Sequence, residues 1–177
     1  MSIERLIEVL PPPNHPMEIG TDEGWTLTQK TIGTLLPSDY KRFVRTFGTG
    51  YISDFIWVFN PFSKKDSMNL LKQINIRLDA LREIQKVLPE DVLFKFFPEH
   101  GGLLPIGATG NGDCLYWLTQ GDSDSWPVIV NESRGPDWRR FDLSLTDFLA
   151  EILQKKIICD VFPSDFPSKQ ADFVPHV

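Results

Sequence analysis

The stretch "LLPIGATGNGDCLYWL", residues 103–118, decides the fold. Two apolar runs, "LLPI" and "CLYWL", flank a turn that contains Gly110 and Gly112. Asn111 followed by Gly112 is the favoured pair for a type I′ turn, because both central residues of that turn need positive φ. We therefore predict a tight hairpin between two buried strands, in which glycine allows the chain to reverse.

The same glycines raise the question of a phosphate-binding loop. In such a loop the glycines lead into Lys and Ser or Thr at the start of a helix, where free N–H groups meet the phosphate. Here "GNGD" leads into the apolar "CLYWL", and Asp113 stands where an anion would sit. The glycine order is also G-x-x-G-x-G, whereas a dinucleotide site has G-x-G-x-x-G. The stretch favours a structural turn over a phosphate site.

Around this hairpin, the sequence pattern predicts a sheet flanked by helices. Apolar residues at helical spacing predict helices over about 3–10, 21–32, 38–47, 67–88 and 144–153, with Thr21, Ser38 and Ser144 as N-caps. Short runs rich in aromatic and β-branched residues predict strands within 51–62 and 103–131. Because the strands do not alternate with crossover helices, we predict an α+β fold with a central, mostly antiparallel sheet.

The chain is predicted to form one domain with two flanking segments. Residues 1–20 hold a short helix and a proline-rich linker, residues 21–153 the α+β domain, and residues 154–177 a C-terminal extension. A chain of 177 residues is long enough to bury a core without a disulfide or a metal. We expect the extension to lie as an extended strap or to be partly mobile.

The charge and the cysteines limit the classes of partner. Lys and Arg number 18 against 24 Asp and Glu, a formal charge of −6, which disfavours nucleic acid and anionic membranes and favours a basic partner. Cys114 and Cys159 alone build neither a disulfide framework nor a four-cysteine zinc site. Charges at Glu4, Arg5 and Glu8 interrupt any signal-peptide pattern, and no run approaches a membrane span. We expect a cytoplasmic protein.

Motifs for metal binding and catalysis are incomplete. Asp122 and Asp124 have the spacing of a calcium loop, but Trp126 occupies the third ligand position. The histidines, at 15, 100 and 176, form no pair at metal-binding spacing, and no G-x-S-x-G motif is present. We predict a protein without a metal, a cofactor or catalytic residues.

One feature does point to a surface with a function. No Lys or Arg occurs between residues 101 and 133, whereas Asp113, Asp122, Asp124 and Glu132 fall in or beside predicted turns. The sheet is therefore expected to have an acidic rim, with Trp126 exposed in one of its loops. This rim is either a solubilising edge or a docking surface for a cationic partner, in which Trp126 would be an aromatic anchor.

Two further stretches have a characteristic order of elements. The first is "LPSDYKRFVRTFGTG", residues 36–50, and the second runs from residue 102 to residue 153, with the L-L-P-I-G strand, the N-G-D turn, the Y-W strand and the closing S-L-T-x-F-L helix. In the order and spacing of these elements the sequence resembles SUKH domains. Gln29 stands where the family usually has an acidic residue. Family-like turn and packing positions are Gly110, Gly112, Asp113, Trp117, Pro127 and Gly135.

The resemblance implies an α+β binding domain without catalytic residues. This superfamily includes bacterial immunity proteins, which bind secreted polymorphic toxins in the cytoplasm of the producing cell, and fungal regulators of cell-wall synthesis. We expect a protein that neutralises a cognate, basic toxin, a nuclease being one such toxin. The alternatives are an intracellular regulator or scaffold and an enzyme that acts on a small ligand. The expected state is a monomer or a weak homodimer.

Overall fold

Helices and strands occur in the order that an α+β fold requires. A computed structural model describes residues 3–168 and 170–176. The elements in these residues are α1 (Glu4–Ile7), α2 (Asp22–Ile32), α3 (Ser38–Phe47), β1 (Gly50–Ile52), β2 (Ile56–Val58), α4 (Leu70–Val87), β3 (Leu103–Thr109), β4 (Cys114–Leu118), β5 (Val128–Asn131), β6 (Trp138–Phe141), α5 (Leu145–Leu153) and β7 (Phe173–Pro175). The predicted fold class is confirmed.

The seven strands form one antiparallel sheet in the order β6-β5-β4-β3-β2-β1-β7. Strands β1 to β6 follow one another as a meander, so their connections alternate between two ends of the sheet. Residues 53–55, 110–113 and 132–137 connect strands at one end, which we call the hairpin end. Residues 119–127 connect β4 to β5 at the opposite end, which we call the loop end.

The β3–β4 hairpin is present, but its turn is of a different type from the one predicted. The N–H of Gly112 donates to the carbonyl of Thr109 at 2.9 Å, so Gly110 and Asn111 are the central residues. Gly112 alone of the turn residues has a positive φ, +93°. The prediction of a type I′ turn is therefore wrong. Four residues connect these strands, whereas the loop of a type I′ hairpin has only two.

Helices cover both faces of the sheet. On one face Tyr40 of α3 packs edge-on against Trp117 of β4, with ring centroids 5.0 Å apart. Tyr116 points to the opposite face, which α4 covers. Burial raises the pKa of Tyr116, and the positive charge of Arg77 on α4 lies close enough to act in the opposite direction. Strands β3 and β4 are buried along their whole length. The core therefore lies on both sides of the central strands.

The two ends of the chain pack against the same core. Arg5 of α1 forms ion pairs with Asp147 and Glu151 of α5, at 3.2 and 2.7 Å. In the C-terminal extension Phe162 is buried, and Phe173 of β7 pairs with Ile52 of β1 at the edge of the sheet. The extension is thus a strap that ends in a strand. Residues 1, 2, 169 and 177 of the predicted flanking segments lie outside the described residues.

Most helix boundaries follow the predicted caps. The Thr21 side chain accepts the Gly24 N–H, and α2 ends at Gly33 with φ +87°, as predicted. Ser38 is the first residue of α3 and not its N-cap, since Pro37 precedes it as the cap residue. Helix α4 begins at Leu70, later than predicted, because a short 3-10 turn precedes it and Asn69 caps it.

Candidate partner-binding surface

The residues predicted to form one acidic rim lie at two opposite ends of the sheet. Strand β4 pairs with β5 so that Cys114 faces Asn131 and Trp117 faces Val128. The turn before β4 and the turn after β5 therefore share the hairpin end, whereas the β4–β5 connection occupies the loop end. The prediction of a single continuous acidic rim is therefore wrong. Asp113 and Glu132 lie at the hairpin end, and Asp122, Asp124 and Trp126 at the loop end.

Asp113 is a structural residue of the hairpin. Only 2% of it is exposed, and its carboxylate accepts hydrogen bonds from Thr109 Oγ1 at 2.7 Å and from the Ser133 N–H at 3.1 Å. It thereby ties the β3–β4 turn to the connection between β5 and β6. The expectation that it forms part of an open rim is wrong, because these bonds draw the side chain inward.

Trp126 is also buried, with 5% of its surface exposed. Its indole N–H donates to the Gly121 carbonyl at 3.3 Å, and its ring lies 5.9 Å from that of Trp117. A short 3-10 turn, Ser123–Ser125, folds the loop back over the end of the sheet. The predicted exposure of Trp126 is therefore wrong, and its ring extends the core.

Asp122 and Asp124 are exposed, but both carboxylates already accept backbone hydrogen bonds. Asp122 accepts the Asp124 N–H at 2.9 Å, and Asp124 accepts the Ser38 N–H at 2.6 Å, at the first residue of α3. The Ser38 N–H lowers the pKa of Asp124, and the charges of Lys41 and Arg42 act in the same direction. Asp124 is thus a helix cap supplied by a distant loop.

A second carboxylate at the loop end, that of Asp39, also accepts a hydrogen bond from the first turn of a helix. Asp39 is buried in α3, and its Oδ2 accepts from the Thr146 N–H at 2.9 Å and from Thr146 Oγ1 at 3.1 Å. It satisfies an N–H in the first turn of α5, which Ser144 caps from within the chain, as predicted. Asp124 and Asp39 therefore stabilise the N-termini of α3 and α5.

At the hairpin end the exposed carboxylates have no such role. Asp54 lies in the β1–β2 turn and Asp165 in the C-terminal extension, and the residues that follow them, Phe55 and Phe166, have ring centroids 4.9 Å apart. Among the described residues, no ion pair involves Asp54, Asp165 or the half-buried Glu132. Sequence reasoning missed Asp54 and Asp165, since only the path of the extension brings their neighbours together.

An apolar cavity of about 350 Å³ opens in the C-terminal extension beside Asp165. Ile158, at its edge, is 83% exposed. Asp160 lies in its wall, but Arg139 binds this carboxylate through two hydrogen bonds of 2.6 and 2.9 Å and lowers its pKa. The cavity is lined by Ile152, Lys155, Ile157, Ile158, Cys159, Asp160, Phe162, Pro163, Ser164 and Phe166.

The two cysteines are poor nucleophiles. Burial raises the pKa of Cys159 to about 11, and burial likewise raises the pKa of Cys114 to about 11. Both thiols therefore stay protonated near neutral pH. Within residues 3–168 and 170–176, no group of three His, Cys, Asp or Glu side chains is placed to hold a metal ion. No helix in the described part of the chain is long and apolar enough to cross a membrane.

Comparison with known families assigns the class of protein. A family model described as SMI1-KNR4 cell-wall, of the SUKH type, matches residues 22–149, which run from α2 into α5. The chain belongs to this family, and the resemblance to SUKH domains is confirmed. SUKH domains are in general binding domains without enzymatic activity. No curated protein and no solved structure matches the chain.

Proposed function

We propose that this SUKH domain is a non-catalytic binding protein that captures a cationic, apolar segment of a partner protein at the hairpin end. The partner in this proposal is a secreted toxin, which the protein neutralises by covering a basic surface. Membership of a family of binding domains supports the general class. The identity of the partner rests on the chemistry of the hairpin end.

The observation that carries the proposal is the apolar cavity next to carboxylates that form no ion pair among the described residues. A cavity of about 350 Å³ has room for one bulky apolar side chain of a partner and its neighbour. Asp165 follows the cavity residue Ser164, and Asp54 precedes Phe55, whose ring contacts that of the cavity residue Phe166. Lys or Arg residues beside the anchoring side chain would pair with these carboxylates.

The charge of the whole chain supports the same kind of partner. A net charge of −6 accelerates the approach of a cationic protein and makes the association rate fall with added salt. Nuclease toxins have basic clefts that bind nucleic acid, so an acidic protein can occupy such a cleft in place of the substrate. A nuclease is therefore the class of toxin that we expect first.

A regulator or scaffold in the cell is the second candidate, and the cell-wall description of the family favours it. The two candidates differ in the number of partners. An immunity protein binds one cognate toxin tightly, whereas a scaffold binds several proteins through the same surface with lower affinity. Competition between partners for the hairpin end would support the second candidate.

The test is capture of the toxin-like product of a neighbouring reading frame, measured by calorimetry at low salt. We expect the pair Asp54→Lys and Asp165→Lys to weaken binding by about tenfold or more, because each change places like charges together. Ile158→Lys is expected to weaken binding further, because it places at the exposed cavity edge a charge of the same sign as the partner's. In cells, the same variants would lose protection from the toxin.

The matched control is the pair Glu23→Lys and Glu99→Lys. These exposed residues lie away from the hairpin end, on α2 and before β3, and the pair changes the net charge by the same amount. The control is expected to weaken binding much less than the pair at the hairpin end, because it reduces only the long-range attraction between the two proteins. Equal losses in both pairs would show that net charge alone drives binding and would overturn the proposed surface. No loss in either pair would overturn it as well.

A further inference from the structure

A second cavity, of about 380 Å³, lies beside the start of β1, at the end of that strand away from the hairpin end. Met17 pairs with Gly48 just before β1, and the His176 N–H, just after β7, donates to the Thr49 carbonyl at 2.9 Å. The segment between β2 and α4 forms the other wall. We call this the basic cavity, and it is lined by Met17, Glu18, Ser63, Lys64, Lys65 and His176.

Two ammonium groups of the basic cavity lack a counter-charge within the described residues. Neither Lys64 nor Lys65 forms an ion pair there, and both side chains are exposed. Asp66, which follows them in the chain, pairs instead with Lys72 at 2.6 Å. Because two positive charges lie together at the cavity, its mouth attracts anions.

Glu18 lines the same cavity, but its carboxylate is bound to other groups. Oε1 accepts the backbone N–H of Lys64 at 2.8 Å, and Oε2 accepts the Thr49 hydroxyl at 2.6 Å. These bonds hold the segment between β2 and α4 against the start of β1. Glu18 therefore lowers the positive potential of the cavity without pairing with an ammonium group.

A buried hydroxyl also lines the basic cavity. Ser63 is 5% exposed, and its Oγ accepts the Lys65 N–H at 3.2 Å. Across the described part of the chain, no group accepts a hydrogen bond from this hydroxyl. A buried donor without an acceptor costs free energy, so the Ser63 hydroxyl gains from a ligand oxygen in the cavity.

Tyr51 of β1 positions two of the lining side chains. Lys65 Nζ donates to the Tyr51 hydroxyl at 3.2 Å and lies 5.8 Å from the centroid of its ring. The His176 ring packs edge-on against the same ring, with centroids 5.9 Å apart. Met17, which is 44% exposed, adds a thioether, and methionine sulfur makes favourable contacts with aromatic rings. An aromatic ligand therefore suits these walls.

We propose that the basic cavity binds a small aromatic phosphate monoester. The phosphate lies between the ammonium groups of Lys64 and Lys65 and accepts the Ser63 O–H, and the ring lies on Met17 and His176. Two ammonium groups match the double charge of a phosphate monoester better than the single charge of a carboxylate. The whole chain, at a net charge of −6, repels anions at long range, so the cavity itself must supply the attraction.

The proposed site is independent of the proposed function. The basic cavity lies where β1 begins, whereas the hairpin end lies where β1 ends. A ligand in the basic cavity therefore leaves the hairpin end open.

Titration of the full chain with phenyl phosphate, followed by backbone amide NMR signals, tests the site. We expect a dissociation constant on the order of 1 mM and shifts centred on residues 17–18, 63–65 and 176. Phenol, inorganic phosphate and benzoate are each expected to bind more weakly, because each lacks the ring, the phosphate or the second charge. Shifts that do not saturate or that centre elsewhere would overturn the site. Equal or tighter binding of any of the three other probes would overturn the ligand class.

Removal of the two cations is expected to abolish most of the affinity. Lys64→Ala with Lys65→Ala is expected to weaken phenyl phosphate binding by about tenfold or more, since two charged donors are lost. The matched control is Lys30→Ala with Lys95→Ala, two exposed lysines on α2 and before β3 whose removal changes the net charge by the same amount. Equal losses in the two pairs would show that net charge alone governs binding and would overturn the site.

Ser63→Ala tests where the phosphate lies. We expect phenyl phosphate to bind about tenfold more weakly to this variant, because a hydrogen bond to a charged group is lost. Binding of phenol, which has no phosphate, is expected to stay the same, and this difference separates the loss of a donor from a general disturbance of the cavity. An equal loss for both probes, or no loss for phenyl phosphate, would contradict the proposed position of the phosphate.

Discussion

Carboxylates lie at both the hairpin end and the loop end of the sheet, but their interactions with the rest of the protein differ. At the loop end Asp39 and Asp124 accept hydrogen bonds from N–H groups in the first turns of α5 and α3. At the hairpin end Asp54 and Asp165 have no ion pair within the described residues and lie beside an apolar cavity. The difference follows from where α3 and α5 begin, since the first turn of a helix has N–H groups without a partner in the helix.

The largest effect is expected from Trp126→Ala at the loop end. The side chain is buried against Trp117, so its removal leaves a cavity and lowers the free energy of unfolding by about 3 kcal/mol or more. Urea unfolding measures the change. A loss close to zero would mean that Trp126 is an exposed residue after all and would restore it as a candidate anchor.

Asp39→Ala is expected to lower the free energy of unfolding by about 2 kcal/mol, because the Thr146 N–H and hydroxyl lose a shared acceptor in a buried position. The control is Asp54→Ala at the hairpin end, on a carboxylate of the same type. Comparable losses in the two variants would remove the distinction between the two ends.

Asp124→Ala is expected to cost about 1 kcal/mol, the usual contribution of a helix cap. The pKa of Asp124 is lowered in the folded state, so its contribution is present above the pKa of the unfolded chain and is lost as the pH falls through the folded value. The difference in stability between wild type and variant is therefore expected to shrink below about pH 4. A difference that is constant from pH 7 to about pH 3 would contradict the cap.

The smallest effect on stability is expected from Asp54→Ala combined with Asp165→Ala. Neither carboxylate forms an ion pair among the described residues, so the free energy of unfolding is expected to change by less than about 0.5 kcal/mol. The same variant is expected to lose affinity for the partner. A clear loss of stability would show that these residues, too, are structural.

The sequence predicts the central elements of this fold better than its edges. Capped helices such as α2 and the buried strands β3 to β5 have strong periodic signals, and all are present. Strand β6 was not predicted because its "WRRF" places two arginines side by side, which matches neither strand nor helix periodicity. Strand β7 has three residues and ends in Pro175, as edge strands often do.

The candidate site was harder to predict because it depends on contacts between distant residues. The alternation of turns in a meander could have placed Asp113 and Asp122 at opposite ends without a structure. The burial of Asp113 could not be foreseen, since it rests on Ser133, far along the chain. Asp54 and Asp165 are brought to the same end of the sheet by the contact between Phe55 and Phe166. That contact depends on the irregular path of the C-terminal extension, for which the sequence has no periodic signal.

The pairing of β7 with β1 has a consequence for how the protein is made. Strand β1 is synthesised before the neighbour that covers its outer edge, because β7 follows it at Phe173–Pro175. Until β7 is made, that edge is an open template for strands of other nascent chains. A fragment cut to residues 22–149 would keep the edge open permanently, and we expect it to aggregate where the full chain does not.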